Sequence, residues 1–295
     1  MRTLLTLTLL LVAAGCSSPQ ATPAADAPQP RPAGSAKLVV TTAAEVDWQQ
    51  LNPARGDASP KAATLWGDRN GEGPTGFLVQ FVDGFSSPPH IHNVSYRGVV
   101  INGLVHNDDA NAEPMWMPPG SFWTQPKGGA HITSAKGDKV TAYIEIEAGP
   151  YLVKPTEEAF DSGEVPVNVD RTNIVWLDAA DVAWMAQSGA PQGENGPQVA
   201  FLWGKPHTEK LYGSFLKLPG GFSGTVESPG PSFSAVVIAG QATHQTPGQD
   251  KPATLDPGSH FSAQGASKHQ LSCVGNQACT LYIRAQGKFN VTAAP

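Results

Sequence analysis

The chain is written twice. Slid against itself by 137 residues, Leu65-Trp66-Gly67 meets Leu202-Trp203-Gly204 and Gly84-Phe85-Ser86 meets Gly221-Phe222-Ser223. Val99-Val100-Ile101 and Gly103 likewise meet Val236-Val237-Ile238 and Gly240. Residues 65–103 hold 13 identities in 39 ungapped positions. The offset then becomes 138, where Gly120-Ser121 meets Gly258-Ser259 and His131 meets His269. Drift of that kind is what loop insertions produce. The 295 residues therefore contain two copies of a unit of about 110, and whatever fold is assigned must be built twice. Between the copies, residues 152–172 carry Pro155, Glu157, Glu158, Asp161, Gly163 and Pro166 and read as a connector.

Composition narrows the unit. Only 15% of residues are charged, while Gly (31) and Pro (27) are abundant, which favours many short strands separated by turns. Strand signals are clear at residues 76–82, 97–102 and 140–146, and no window shows a long helical apolar period. Each copy is thus an all-β unit of the sandwich or barrel type. The net charge, 19 − 25 = −6, argues against nucleic acid or anionic lipid as the main partner. After residue 15 no apolar run reaches the length of about 18 needed to span a membrane.

The first residues read as an address. Arg2 precedes an apolar run from Leu4 to Ala14, the length of a signal-peptide core. It ends Val12-Ala13-Ala14-Gly15-Cys16, which resembles the lipobox of bacterial lipoproteins. That resemblance implies cleavage after residue 15 and lipidation of Cys16, the chain's contact with a membrane being through that lipid alone. Ser17 resembles the sorting signal for the outer membrane, so the expected location is the bacterial cell envelope, outer membrane if the host has one. Residues 16–36 read as a tether, followed by a first domain at 37–151 and a second at 173–295. Export also suits a disulfide between Cys273 and Cys279, which flank a Gly-Asn turn.

The chemistry sits in the first copy. Gly84-x5-His90-x-His92 is followed by Gly120-x5-Pro126-x-Gly128-x2-His131. In a strand, positions i and i+2 share a face, so His90 and His92 point together, and a Gly-rich turn presents His131 from a neighbouring strand. Three imidazoles can cap one face of a divalent ion and leave positions open. These paired motifs resemble those of the cupin superfamily, and the duplication extends the likeness to most of the chain. The layout is similar to uncharacterised bacterial bicupin lipoproteins, with some likeness to cupins of the anti-sigma-factor type. The resemblance implies two tandem jelly-roll barrels with a divalent metal in the first, and a small-molecule ligand or substrate. Cupins often pair through barrel edges, so it also raises a homodimer.

The pattern is incomplete. The family's usual Glu, three or four residues after the second His, is here Tyr96 or Arg97, with Tyr96 favoured by counting back from Gly103. Tyr96 is open to three roles: a phenolate ligand, a hydrogen-bond donor to a bound molecule, or packing. Without a carboxylate the set favours Zn, Fe or Cu over Mn. In the second copy the ungapped match puts Glu227 and Pro229 at the positions of His90 and His92, leaving His269 alone. Trp123 and Gln125 share a strand face and are expected in the pocket, with His106 at its mouth. The reading is an exported metal-dependent cupin acting on a small molecule, with Tyr96 as candidate acid or base. Oxygenase, isomerase, lyase and hydrolase chemistry are not distinguished by these residues. The alternative is a non-catalytic surface protein that binds a metal or a small ligand.

Overall fold

A computed structural model describes residues 37–183, 185–186, 196–206, 208–246 and 251–294. The leader, Cys16 and the tether up to residue 36 lie outside the described residues, as does His207. No helix among the described residues is long and apolar enough to cross a membrane.

The expected all-β architecture is present as two jelly-roll barrels. In the first, a seven-stranded sheet runs Val167–Val169, Phe122–Gln125, Tyr96–Asp108, Ile132–Ile146, Thr75–Phe81, Lys61–Trp66, Gln49–Gln50. Its two longest strands, of 13 and 15 residues, pass the corner and help build both walls of the barrel. The bend falls where the register slips between Val100 and Leu104. Gly103 sits there with φ +74°, and a Cβ would come within 2.6 Å of Val140 Cγ2, which is why the repeat keeps a glycine at this corner. At Gly240, the same position in the second copy, φ is +76° and the strand is interrupted between Ser232–Ala239 and Ala242–Gln245.

The second barrel has a seven-stranded and a six-stranded sheet. Its seven-stranded sheet is edged by Lys37–Thr41, paired antiparallel with His260–Gln264. In return Val167–Val169, which precedes the second copy, pairs with Phe122–Gln125 of the first. Each barrel's open edge is thus closed by the strand that leads into the other, which satisfies backbone groups an edge would leave bare. Residues 37–41 therefore belong to the second barrel's sheet rather than the first domain. The connector likewise gives Val153–Lys154 and Val167–Val169 to the first barrel.

The barrels pack back to back through Leu65, Leu78, Val99 and Phe122 of the first against Phe215, Val236 and Ile238 of the second. At the centre lies one buried carboxylate, Glu145, which accepts hydrogen bonds from Tyr143 (3.1 Å) and Tyr282 (2.7 Å). Trp66 donates to the Tyr143 hydroxyl at 3.0 Å and its repeat partner Trp203 to Tyr282 at 2.7 Å. The duplication thus also writes the interface between its copies. At the rim, Arg284 binds Glu147 through both guanidinium nitrogens, at 2.9 and 2.7 Å. Across the turn Val274–Ala278, Cys273 and Cys279 are joined in a disulfide with Cα atoms 5.8 Å apart.

Candidate metal centre

His90, His92 and His131 meet inside the first barrel, all three buried, with their ligand atoms within 4.8 Å of one another. His90 pairs with His131 across an antiparallel bridge, and His92 follows on the short strand Ile91–His92. The side chains are oriented by main chain. Nδ1 of His90 lies 3.0 Å from the Pro88 carbonyl, that of His92 3.0 Å from Leu152 O, and that of His131 3.1 Å from Gly129 O. A carbonyl only accepts, so each Nδ1 carries the proton and each Nε2 keeps its lone pair. Backbone acceptors of this kind are what orient metal-bound imidazoles.

The electrostatics agree with that geometry. Burial lowers the His90 pKa. Burial, and then the other two imidazoles, hold His92 well below the ordinary histidine value. Burial and the neighbouring His90 push His131 down to about 3. At neutral pH all three rings are uncharged, the form a metal requires. The group could hold a divalent metal ion. Donors of one ion at about 2.0–2.1 Å lie no more than about 4.2 Å apart, so binding would draw the rings slightly inward.

A cavity of about 330 Å³ opens beside His90 and His92. Its wall is mostly apolar, with Val79, Phe81, Phe85, Trp123 and Ile144, and no Asp or Glu side chain among the described residues lines it. Tyr96 and Trp123 line it. Gln125 does not. It is buried, accepts from Asn107 Nδ2 at 3.0 Å and donates to Gly129 O at 3.0 Å, the carbonyl that also holds His131. Gln125 is therefore a positioning group behind the ligand.

His106 is also misplaced by the sequence reading. It is buried on the outer side of its strand against Trp116, with ring centroids 5.9 Å apart. Counting alternately from Tyr96 puts His106 inward, but the bulge between Val100 and Asn102 gives this strand one residue more than its partner and reverses the parity beyond it. Asn107 faces inward instead. Its Oδ1 accepts from the Tyr96 phenol at 2.8 Å and from Thr133 Oγ1 at 2.9 Å. The Tyr96 hydroxyl is thus committed to an amide, although it lies 3.4 Å from His131 Nε2. Burial pushes its pKa well up.

One residue escaped sequence reasoning altogether. Tyr151 donates its phenol to His92 Nε2 at 3.0 Å and stacks on that ring at 4.3 Å. It sits just before the strand Val153–Lys154, which pairs with Ile91–His92. No motif spacing marks it, because the pairing that brings it in is long-range.

The second barrel differs in register from the ungapped match. Val226 lies opposite His269 as His90 lies opposite His131, because the first copy has one more residue between the turn and the bridge. Val226 is fully buried in the core, and Ser228 falls at the place of His92. Glu227 faces outward and pairs with Lys268. His269 is enclosed by Phe233 and Phe261 and hydrogen-bonded to His244 Nε2 at 2.9 Å.

Known proteins share this fold. The model of a domain of unknown function, DUF4437, matches residues 39–292. The chain belongs to the DUF4437 family. No curated protein matches it. A proposed dioxygenase of Nostoc punctiforme is similar in structure, with a TM-score of 0.61 at 14% identity over 88% of this chain and 87% of that one. The Momordica charantia 7S globulin follows with a TM-score of 0.54 at 10% identity, covering 81% and 82%. Bacillus subtilis oxalate decarboxylase has a TM-score of 0.50 at 11% identity, covering 86% and 78%. Such identities show the fold alone: this DUF4437 chain shares the two-barrel jelly-roll architecture of these proteins. The likeness to anti-sigma-factor-type cupins finds no support among these structures.

Proposed function

We propose that the first barrel holds one divalent metal on His90, His92 and His131 and acts on a small molecule admitted to the cavity above it. The observation that carries this reading is the orientation of the triad, with each Nδ1 proton given to a carbonyl and each Nε2 left to converge. A divalent ion there supplies Lewis-acid chemistry, and redox chemistry if it is iron or copper. The chain's own part is to shape and dry the site. Phe81, Phe85, Trp123 and Ile144 exclude water around the bound molecule. Asn107 and Gln125 hold Tyr96 and the Gly129 turn in place. The names of the dioxygenase and the decarboxylase are compatible with small-molecule chemistry, but the reading rests on the triad. A binder without turnover is the alternative, favoured by a cavity wall that has no carboxylate among the described residues. We further propose, from the leader alone, a lipid-anchored protein of the cell envelope.

Elemental analysis tests the metal reading. Protein purified from medium with mixed divalent metals is expected to carry about one equivalent of a single ion, absent from the His90→Ala/His92→Ala variant. A folded protein without metal overturns it. Substrate turnover by the loaded protein then separates enzyme from binder.

A further inference from the structure

The connector delivers an oxygen to the place where the ligand set lacks one. We propose that Tyr151, not Tyr96, is the fourth protein ligand of the metal centre and binds the ion through its phenolate oxygen. This rests on the reading that the triad holds a metal.

The geometry points there in four ways. First, the Tyr151 hydroxyl is 3.0 Å from His92 Nε2, the nitrogen whose lone pair is free for an ion. Neighbouring donors at about 2.0–2.1 Å from one metal are themselves about 3 Å apart, so the position already suits a shared ion. Second, that hydrogen bond is the only one the Tyr151 hydroxyl makes among the described residues, and an ion at Nε2 would replace it. The Tyr96 hydroxyl, by contrast, is spent on Asn107. Third, the ring is held. It stacks on His92, meets the Phe77 ring edge-on at 5.3 Å and sits across Tyr96 at 5.8 Å. Asn93 clamps the backbone on both sides, donating to Pro150 O at 2.9 Å and accepting from Leu152 N at 2.9 Å. Fourth, the charge calls for it. Three neutral imidazoles leave a divalent ion's two charges uncompensated in a buried site whose wall has no carboxylate among the described residues. On binding, the Tyr151 O–H bond breaks, its proton leaves to water, and the oxygen bonds the ion, removing one of those charges.

Ferric iron is the probe, because a phenolate ligand gives it a visible charge-transfer band and imidazoles do not. The wild-type protein loaded with ferric iron is expected to show the band. Tyr96→Phe should keep it, and Tyr151→Phe should lose it at equal iron content. Zinc affinity of Tyr151→Phe should fall by about tenfold or more, at least the scale seen when an orienting partner of a metal ligand is removed. A band that survives in Tyr151→Phe, or one iron per chain without any band, overturns the assignment. Phenylalanine keeps the stacked ring, and circular dichroism checks the fold. Zinc added to the unmutated protein reads the same event without a variant: the tyrosinate ultraviolet difference should grow to one phenol per bound ion, and no growth overturns the proposal. If wild-type protein takes up neither metal, elemental analysis shows that the metal reading has failed and this assignment with it.

Discussion

The two barrels have one ancestor in sequence and opposite interiors. The first keeps a polar cluster at its centre: three imidazoles, two phenols, an asparagine and a glutamine, each placed by hydrogen bonds. The second fills the same space with Phe233, Phe261 and Phe289, all fully buried. His269 remains there, hydrogen-bonded to His244 and to Ser267 Oγ among aromatic rings. One backbone carries both solutions, so the fold does not need the polar cluster. What makes the second barrel stable is shape-filling, and what distinguishes the first is a set of groups costly to bury unless each has a partner.

The largest test of that contrast is truncation. Phe261→Ala in the second barrel should cost about 3–5 kcal/mol in denaturant unfolding, because it empties a packed core. His90→Ala/His92→Ala in the metal-free first barrel should cost less than about 1.5 kcal/mol, the scale of a net hydrogen bond. Equal losses would show that the triad is structural.

Acid is the next. Burial depresses the pKa of His131, His260 and His269 to about 3 and of His244 to about 4, in the last pair of a barrel as in the triad. The unfolded chain binds these protons near pH 6.5, so it holds more of them at any pH between. Stability of the metal-free protein is therefore full above about pH 6.5 and falls as pH drops toward 3–4. Urea midpoints at pH 7 and pH 5 check the direction, and a higher midpoint at pH 5 would contradict it.

Restoring ligands to the second barrel sharpens the comparison from the other side. Val226→His with Ser228→His places two imidazoles opposite His269, yet the phenylalanines leave no room for an ion. The variant should lose about 1–3 kcal/mol through overpacking and take up no metal by elemental analysis. Metal uptake would mean that ligand identity alone makes the site. Reducing Cys273–Cys279 bears on the second barrel alone, and with a six-residue separation its loop-closure gain is about 2–3 kcal/mol at most. Thermal unfolding with and without reductant measures it.

Much of this was legible in the residues. Duplication and period-2 alternation specify two all-β barrels, and the His90-x-His92 and His131 motifs identify a local cluster, because strand geometry converts spacing into direction within a few residues. Trp66, Gly76, Trp203 and Gly213 recur for a reason that structure supplies: a Cβ at Gly76 would lie 2.1 Å from the Trp66 indole nitrogen, and at Gly213 1.9 Å from that of Trp203.

Spacing fails wherever the backbone slips. The bulge between Val100 and Asn102 turned His106 outward and Asn107 inward, and one extra residue before His90 made Val226, not Glu227, its counterpart. It also fails for partners distant in the chain. The strand at 37–41 closes the far barrel, and Tyr151 reaches His92 only because Val153–Lys154 pairs with Ile91–His92. Alternation is a local rule set by the pleat, and the sequence determines whatever follows from it alone. Register, edge closure and the fourth group at the triad depend on contacts between segments whose separation no local rule encodes, and only the tertiary structure decided them.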